Sequence, residues 1–290
     1  MVSIGSVIGG GFRLFREQPV TLAIWWALQT AYAAAGTLLM LPMQRSALLQ
    51  SSNTYMTTML LAVVPFYLLF FIVGLLQSTA AFRAVMRPDE RKAGFLRVGI
   101  DELRVLGIGA LWSIAVLIFY FLMIAFGIVL GRMIYADGYG VQGPGMIPLL
   151  LLLLAPIYSL MIWLHVRLSP ALPLIVLRRS FAIGEAWTAT KGEFWRLFAG
   201  YLVIVLILLA AYLATLAIVA GPYWAAMIRG ASPAMAAEAV AGIGPLTITG
   251  WFINGAMSVF AYALWAGSVG TATQQLIGAE GGIDYAETFG

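Results

Sequence analysis

The chain has no cysteine in its 290 residues, a single histidine, and only 10% charged residues. Without cysteine there is no disulfide framework, no thiolate metal site and no cysteine nucleophile. One histidine, His165, rules out a zinc motif, and no Ser/His/Asp set can be placed at membrane depth. No carboxylate pair lies inside an apolar run, so an intramembrane aspartyl dyad is missing as well. Gly9-Gly10-Gly11 follows no strand and no phosphate-binding loop with its Lys occurs, so the 290 residues hold no ATPase motor. The expectation is a non-catalytic chain that holds no metal and no cofactor.

Apolar residues are abundant, at 62% of the chain, where a soluble domain has about 45–50%. They gather into six charge-free intervals, each near the ~20 residues that a spanning helix needs. The intervals are Val20 to Leu41, Met56 to Ala81, Val105 to Leu130, Met146 to Leu164, Leu197 to Gly221 and Leu246 to Val269. The expected fold class is an all-α membrane protein: six transmembrane helices with amphipathic interfacial helices, forming one integral membrane domain over 1–290. No loop between spans is long enough for an independent soluble domain.

The basic residues set the orientation. With six spans, Arg13, Arg16, Arg83, Arg87, Arg91, Lys92, Arg97, Arg104, Arg167, Arg178, Arg179, Lys191 and Arg196 fall on one side, and Arg45, Arg132 and Arg229 on the other. Thirteen against three puts both termini in the cytoplasm; for a bacterial source, the expected membrane is the cytoplasmic (inner) one. Acidic residues offset much of that charge, 13 bases facing 10 acids on the basic side, and the net charge is only +4. Nucleic acid is therefore not an expected partner; membrane lipids are, with a second copy or another membrane protein also open. A competing reading of the first span is a secretory signal cleaved after Ala31-Tyr32-Ala33, although the apolar run continues beyond it to Leu41.

Amphipathic stretches precede the odd-numbered spans. From Val2 to Glu17, Ile4, Val7, Ile8, Gly11 and Phe15 share a helical face, with Gly9, Gly10 and Gly11 weakening the helix. From Arg91 to Arg104, Leu96, Ile100 and Leu103 form a stripe, and Trp187, Phe194 and Phe198 recur before the fifth span. The order gives three copies of one unit, an interfacial helix plus a helix pair, over 1–87, 88–179 and 180–290, with boundaries near Pro88 and Ser180. Against it, any helix entering a membrane from a basic side reads aromatic, Arg, apolar. On the outer side, Ser232-Pro233 before AMAAEAVAG, stopped by Gly242, predicts a short surface helix.

The candidate site residues lie on the basic rim and within the spans. The connector from Met161 to Ala199, basic and rich in Trp, is expected to lie along the headgroups. Arg83, Arg87, His165, Arg167, Arg178, Arg179, Lys191 and Arg196 fall at comparable depth and form a candidate headgroup or anion site, since guanidinium groups suit phosphate. The alternative for Arg167 is a snorkelling side chain, and for His165 a hydrogen-bonded interfacial imidazole. Glu185 and Glu193 are expected to pair with these bases. Within the spans Gln29, Gln77 and Asn254 are the strongest polar groups, as interhelical glue or as the lining of a polar cavity. Pro65, Pro148 and Pro156 mark kinks.

The run Leu177 to Phe198, L-x-R-S-F-x-x-G-E-A-W-x-x-x-K-G-x-F-W-R-L-F, together with Gly5 and the opening Gly11-Phe12-Arg13-Leu14-Phe15-Arg16-Glu17-Gln18-Pro19, resembles the membrane-domain family of bacterial glycerophosphoryl diester phosphodiesterases and its multi-span relatives. In the fused members of that family, catalysis belongs to a separate soluble domain, for which these 290 residues leave no room. The resemblance thus implies a fold and a membrane setting without phosphodiesterase activity. Two functional readings follow: a lipid-headgroup or partner-binding module acting through its basic rim, and a transporter or permease component for a small or amphiphilic substrate.

Overall fold

The computed structural model describes residues 1–47, 52–90, 92–136, 146–230 and 244–281, and these residues are helical without a strand. Six helices are long and apolar enough to cross a membrane: α3 (Pro19–Ala47), α4 (Ser52–Met86), α5 (Ile100–Ala136), α6 (Met146–Leu168), α9 (Phe194–Ile228) and α10 (Pro245–Gly281). Short elements join them: α1 (Ile4–Gly11), α2 (Arg13–Glu17), a 3-10 turn at Lys92–Phe95, α7 (Ala171–Arg178) and α8 (Ile183–Ala189). The protein is an integral, multi-pass membrane protein, as its charge-free intervals require. The spans overrun those intervals; α9 continues through Pro222 to Ile228, since a helix in lipid keeps its backbone bonds internal even around a proline. The expected Ser232 surface helix lies outside the described residues.

The buried core sits at the end that carries the described rim arginines, and α10 is its hub, packed against α1, α3, α4 and α9. Lipid offers no hydrophobic drive between helices, so close approach through small residues must hold them together. On α10 these are Ala263, Ala266, Gly267, Ser268 and Ala272, all buried.

The glycine run of α1 has a role that its helix propensity hides. Gly10 and Gly11 lie against Gly267, Ser268 and Thr271, so near that a Cβ on any of the three glycines would collide with its neighbour. Val7, fully buried, fills the space beside Gly200 of α9. At the open start of α1, the Ser3 N–H donates to Gln275 Oε1 at 3.0 Å and Gln275 Nε2 donates to Ser6 Oγ. The helix is thus seated among spans, with Ile4 remaining exposed.

Two connectors depart from the sequence expectation. The amphipathic stretch before the third span forms a 3-10 turn and the opening of α5, because Ala93, Gly94 and Phe95 take left-handed φ values of 51°, 64° and 64° that no right-handed helix accepts. Between α6 and α9 the chain does not lie wholly along the headgroups. Helix α7 buries Leu174, Ile175 and Val176 against α4, α5 and α10, and α8 alone presents an aromatic surface through Trp187. Seven apolar residues in succession, Ala171 to Leu177, are better covered by protein than left at a wet interface.

Candidate functional site

The end of α4 delivers Arg83 and Arg87, one turn apart, to the start of α5. Arg83 is 1% exposed; its Nη2 pairs with Glu102 and lies 3.5 Å from Asp101, while its Nη1 donates to the Phe95 carbonyl at 3.2 Å. Arg87 reaches Asp101 at 3.2 Å, Arg104 reaches the other Asp101 oxygen at 3.1 Å, and Arg97 lies 3.4 Å from Asp101. Glu90 binds Arg97 at 2.6 Å and Arg179 at 3.0 Å. Burial pushes the Glu90 carboxyl up, yet Arg97, Arg87 and Arg179 together outweigh burial and hold it below the ordinary carboxylate range. Burial likewise draws Arg87 down from its ordinary value, against Asp101 and Glu90.

The left-handed turn is fixed by the same network. Arg83 holds the Phe95 carbonyl, and Trp25 Nε1 donates to the Gly94 carbonyl at 2.9 Å. Such φ values in Ala93 and Phe95 persist only where surroundings over-determine them, and two buried donors on adjacent carbonyls do so.

Other rim cations are held separately. Arg178 pairs with Glu185 and Arg196 with Glu193, each at 3.1 Å, so both acids do pair with bases. Lys191 is exposed. Arg167 is buried, its Cζ 4.6 Å from the Trp187 ring centre and 6.0 Å from that of Trp163. The structure therefore gathers Arg83, Arg87 and Arg179 around carboxylates, and places Arg178, Arg196 and Arg167 apart from them.

His165 belongs to a different feature. An apolar cavity of about 570 Å³ opens sideways between α4, α5, α6, α7 and α10. Its walls include Phe70, Leu111, Trp112 and Trp265, of which Phe70 and Leu111 are exposed on the lipid-facing surface. Along α4 it extends from Phe70 to Phe82, roughly 18 Å at 1.5 Å per helical residue. The imidazole of His165 lies between Trp112 and Trp265, with ring centres 5.4 and 5.6 Å away. Ser78 donates to the Leu75 carbonyl, and Ser169 bonds the Val166 carbonyl and the Tyr201 hydroxyl. Three lining side chains, His165, Trp112 and Trp265, make no side-chain hydrogen bond among the described residues, and of these only the imidazole can also accept one.

Of the intramembrane polar residues, Gln29 and Gln77 are buried and bonded to each other across α3 and α4, with Gln29 Nε2 donating. Asn254 is exposed on α10; that interface is held instead by Trp26 Nε1 on the Phe252 carbonyl and Trp251 Nε1 on Thr37 Oγ1.

Sequence reasoning identified the rim cations but not their acceptors Asp101 and Glu102, nor the tryptophans that flank His165. The two acids in the first turn of α5 were the available signal. No group of three His, Asp or Glu suited to a metal occurs among the described residues. The chain matches no family model, no curated protein and no solved structure.

Proposed function

We propose that this is a non-catalytic protein of the bacterial inner membrane, both termini in the cytoplasm, that binds a membrane lipid with its chain in the lateral cavity and headgroups at the basic rim. The cavity carries the reading. Its volume lies within the ~300–1,000 Å³ of ordinary ligand pockets, its walls are apolar, and its side opening lets an acyl chain enter without crossing water. His165 supplies one polar contact near the basic end, where a glycerol or ester oxygen would lie. The membrane-domain resemblance fits this role, that of a lipid-facing part without its own chemistry.

Gly109 provides the test. It lines the cavity, and a side chain added there meets open space, so Gly109→Phe fills the pocket while relieving a helix of glycine. Native mass spectrometry after gentle extraction is expected to find lipid on the wild type and little on Gly109→Phe. Equal retention by both proteins would remove the cavity as the binding site.

A further inference from the structure

Arg167 differs from the other buried cations described at the basic end. Among the described residues Arg83 is 1% exposed and Arg167 9%. Arg83 meets two carboxylates. Arg167 meets none among the described residues, and its Nε–H, shut off from solvent, has no acceptor. The stem and Nε are shut in while the two Nη atoms, without a hydrogen bond among the described residues, keep access to the surface, so the fork opens toward the headgroup layer. What surrounds the guanidinium is aromatic: Trp187 and Trp163, edge to face at 89° with ring centres 5.3 Å apart. Such rings attract a cation, but less than burial without a counter-ion costs. The last turn of α6 adds a favourable dipole, shared with its other basic residue.

A buried, planar, permanently charged donor that the protein leaves without an anion is built to receive one. We propose that Arg167, held between Trp163 and Trp187, is a phosphate site, and that its ligand is the phosphodiester of an anionic phospholipid. Three features select that chemistry. The guanidinium fork matches phosphate oxygens in a bidentate manner. Both tryptophans are partly exposed, as interfacial rings at headgroup level would be. And α8, which carries Trp187, is tied to α6 by Thr190, whose hydroxyl donates to the Arg167 carbonyl at 3.1 Å; this sets the exposed Lys191 as the next residue along.

The identity of the ligand rests on the lipid-binding reading above, but the site is separate from the cavity. Residues two apart point to nearly opposite sides of a helix, so His165 and Arg167 serve different faces of α6.

The experiment is a native mass spectrometry titration of the delipidated full chain with phosphatidylglycerol or phosphatidylcholine. The wild type is expected to prefer phosphatidylglycerol about tenfold, the scale of one charge-assisted contact. Arg167→Gln should abolish the preference, and Arg178→Gln, whose cation is already paired with Glu185, should preserve it. If Arg167→Gln does not fold, Arg167→Lys carries the test: losing the fork and the ring stacking should cut the preference several-fold, and an unchanged preference overturns the site. Displacement of phosphatidylglycerol by equimolar inorganic phosphate would overturn the lipid assignment and make the ligand a soluble phosphate. Equal wild-type binding of both lipids overturns the Arg167 site and leaves the cavity standing, whereas a wild type that binds no lipid ends the lipid-binding reading itself.

Discussion

Arg83 stands where three parts of the chain meet, the last turns of α4, the left-handed turn at 93–95 and the first turn of α5. Breaking a buried pair by removing one partner costs about 3–5 kcal/mol, because the survivor keeps an uncompensated charge, whereas replacing both by apolar residues is often neutral or better. Arg83→Met is therefore expected to lower the melting temperature markedly, and Arg83→Met/Glu102→Leu to recover most of the loss. Asp101 does not need Arg83 in that comparison, being held also by Arg87, Arg97 and Arg104. Melting in detergent checks it; a double variant no more stable than the single one would show that the cation matters mainly through the Phe95 carbonyl. The arginines were legible as a rim, because basic residues between apolar runs locate a membrane face. Their partners were not. Asp101 and Glu102 look like solvated polar positions until the chain reverses at Ala93, and the φ angles there are imposed by Trp25 and Arg83, far from the turn in sequence.

Among the elements, the spans were readable because length and absence of charge are local properties, while the short helices were not. Helix α7, eight residues long, is too brief to give a periodic signal, and its burial depends on what α4, α5 and α10 leave open. Helix α1 was readable as amphipathic but misleading in detail, since Gly10 and Gly11 look like defects until α10 is beside them. A single methyl tests that seat. Alanine for glycine within a helix ordinarily gains up to about 1 kcal/mol, but a Cβ on Gly267 would strike the Gly10 carbonyl, a backbone atom that moves only if α1 moves. Gly267→Ala should therefore lower stability, by the ~1–3 kcal/mol typical of overpacking. Gly9→Ala, whose Cβ meets nothing within 4 Å, should hold or raise it. Paired melting curves decide the matter, and a stabilising Gly267→Ala would mean that α1 does not sit on α10.

Across the whole molecule the two ends differ in kind. At the basic end helices interlock through small residues and ion pairs, whereas the described middle of α5 and the far part of α9 bury almost nothing and show Leu117, Phe121, Leu209 and Leu213 to their surroundings. In a membrane, lipid or a neighbouring membrane protein covers such surfaces. The tight end is also where the bases collect, so the orientation rule acts on one compact face. Acids there neutralise much of the field without cancelling the rule, which counts Lys and Arg near the span ends rather than net charge. The basic end should face the cytoplasm. Since the chain has no cysteine, each cysteine introduced is a unique label. Arg229→Cys, exposed at the far end, should react with a membrane-impermeant thiol reagent on intact spheroplasts, and Lys191→Cys, exposed at the basic end, only after permeabilisation. Labelling of Lys191→Cys alone in intact spheroplasts would invert the protein, and labelling of both would break the six-span alternation. The result also fixes which leaflet supplies the ligand: the cavity lies in the basic half of the bundle, so a cytoplasmic basic end means that its chain, like the phosphate at Arg167, comes from the inner leaflet.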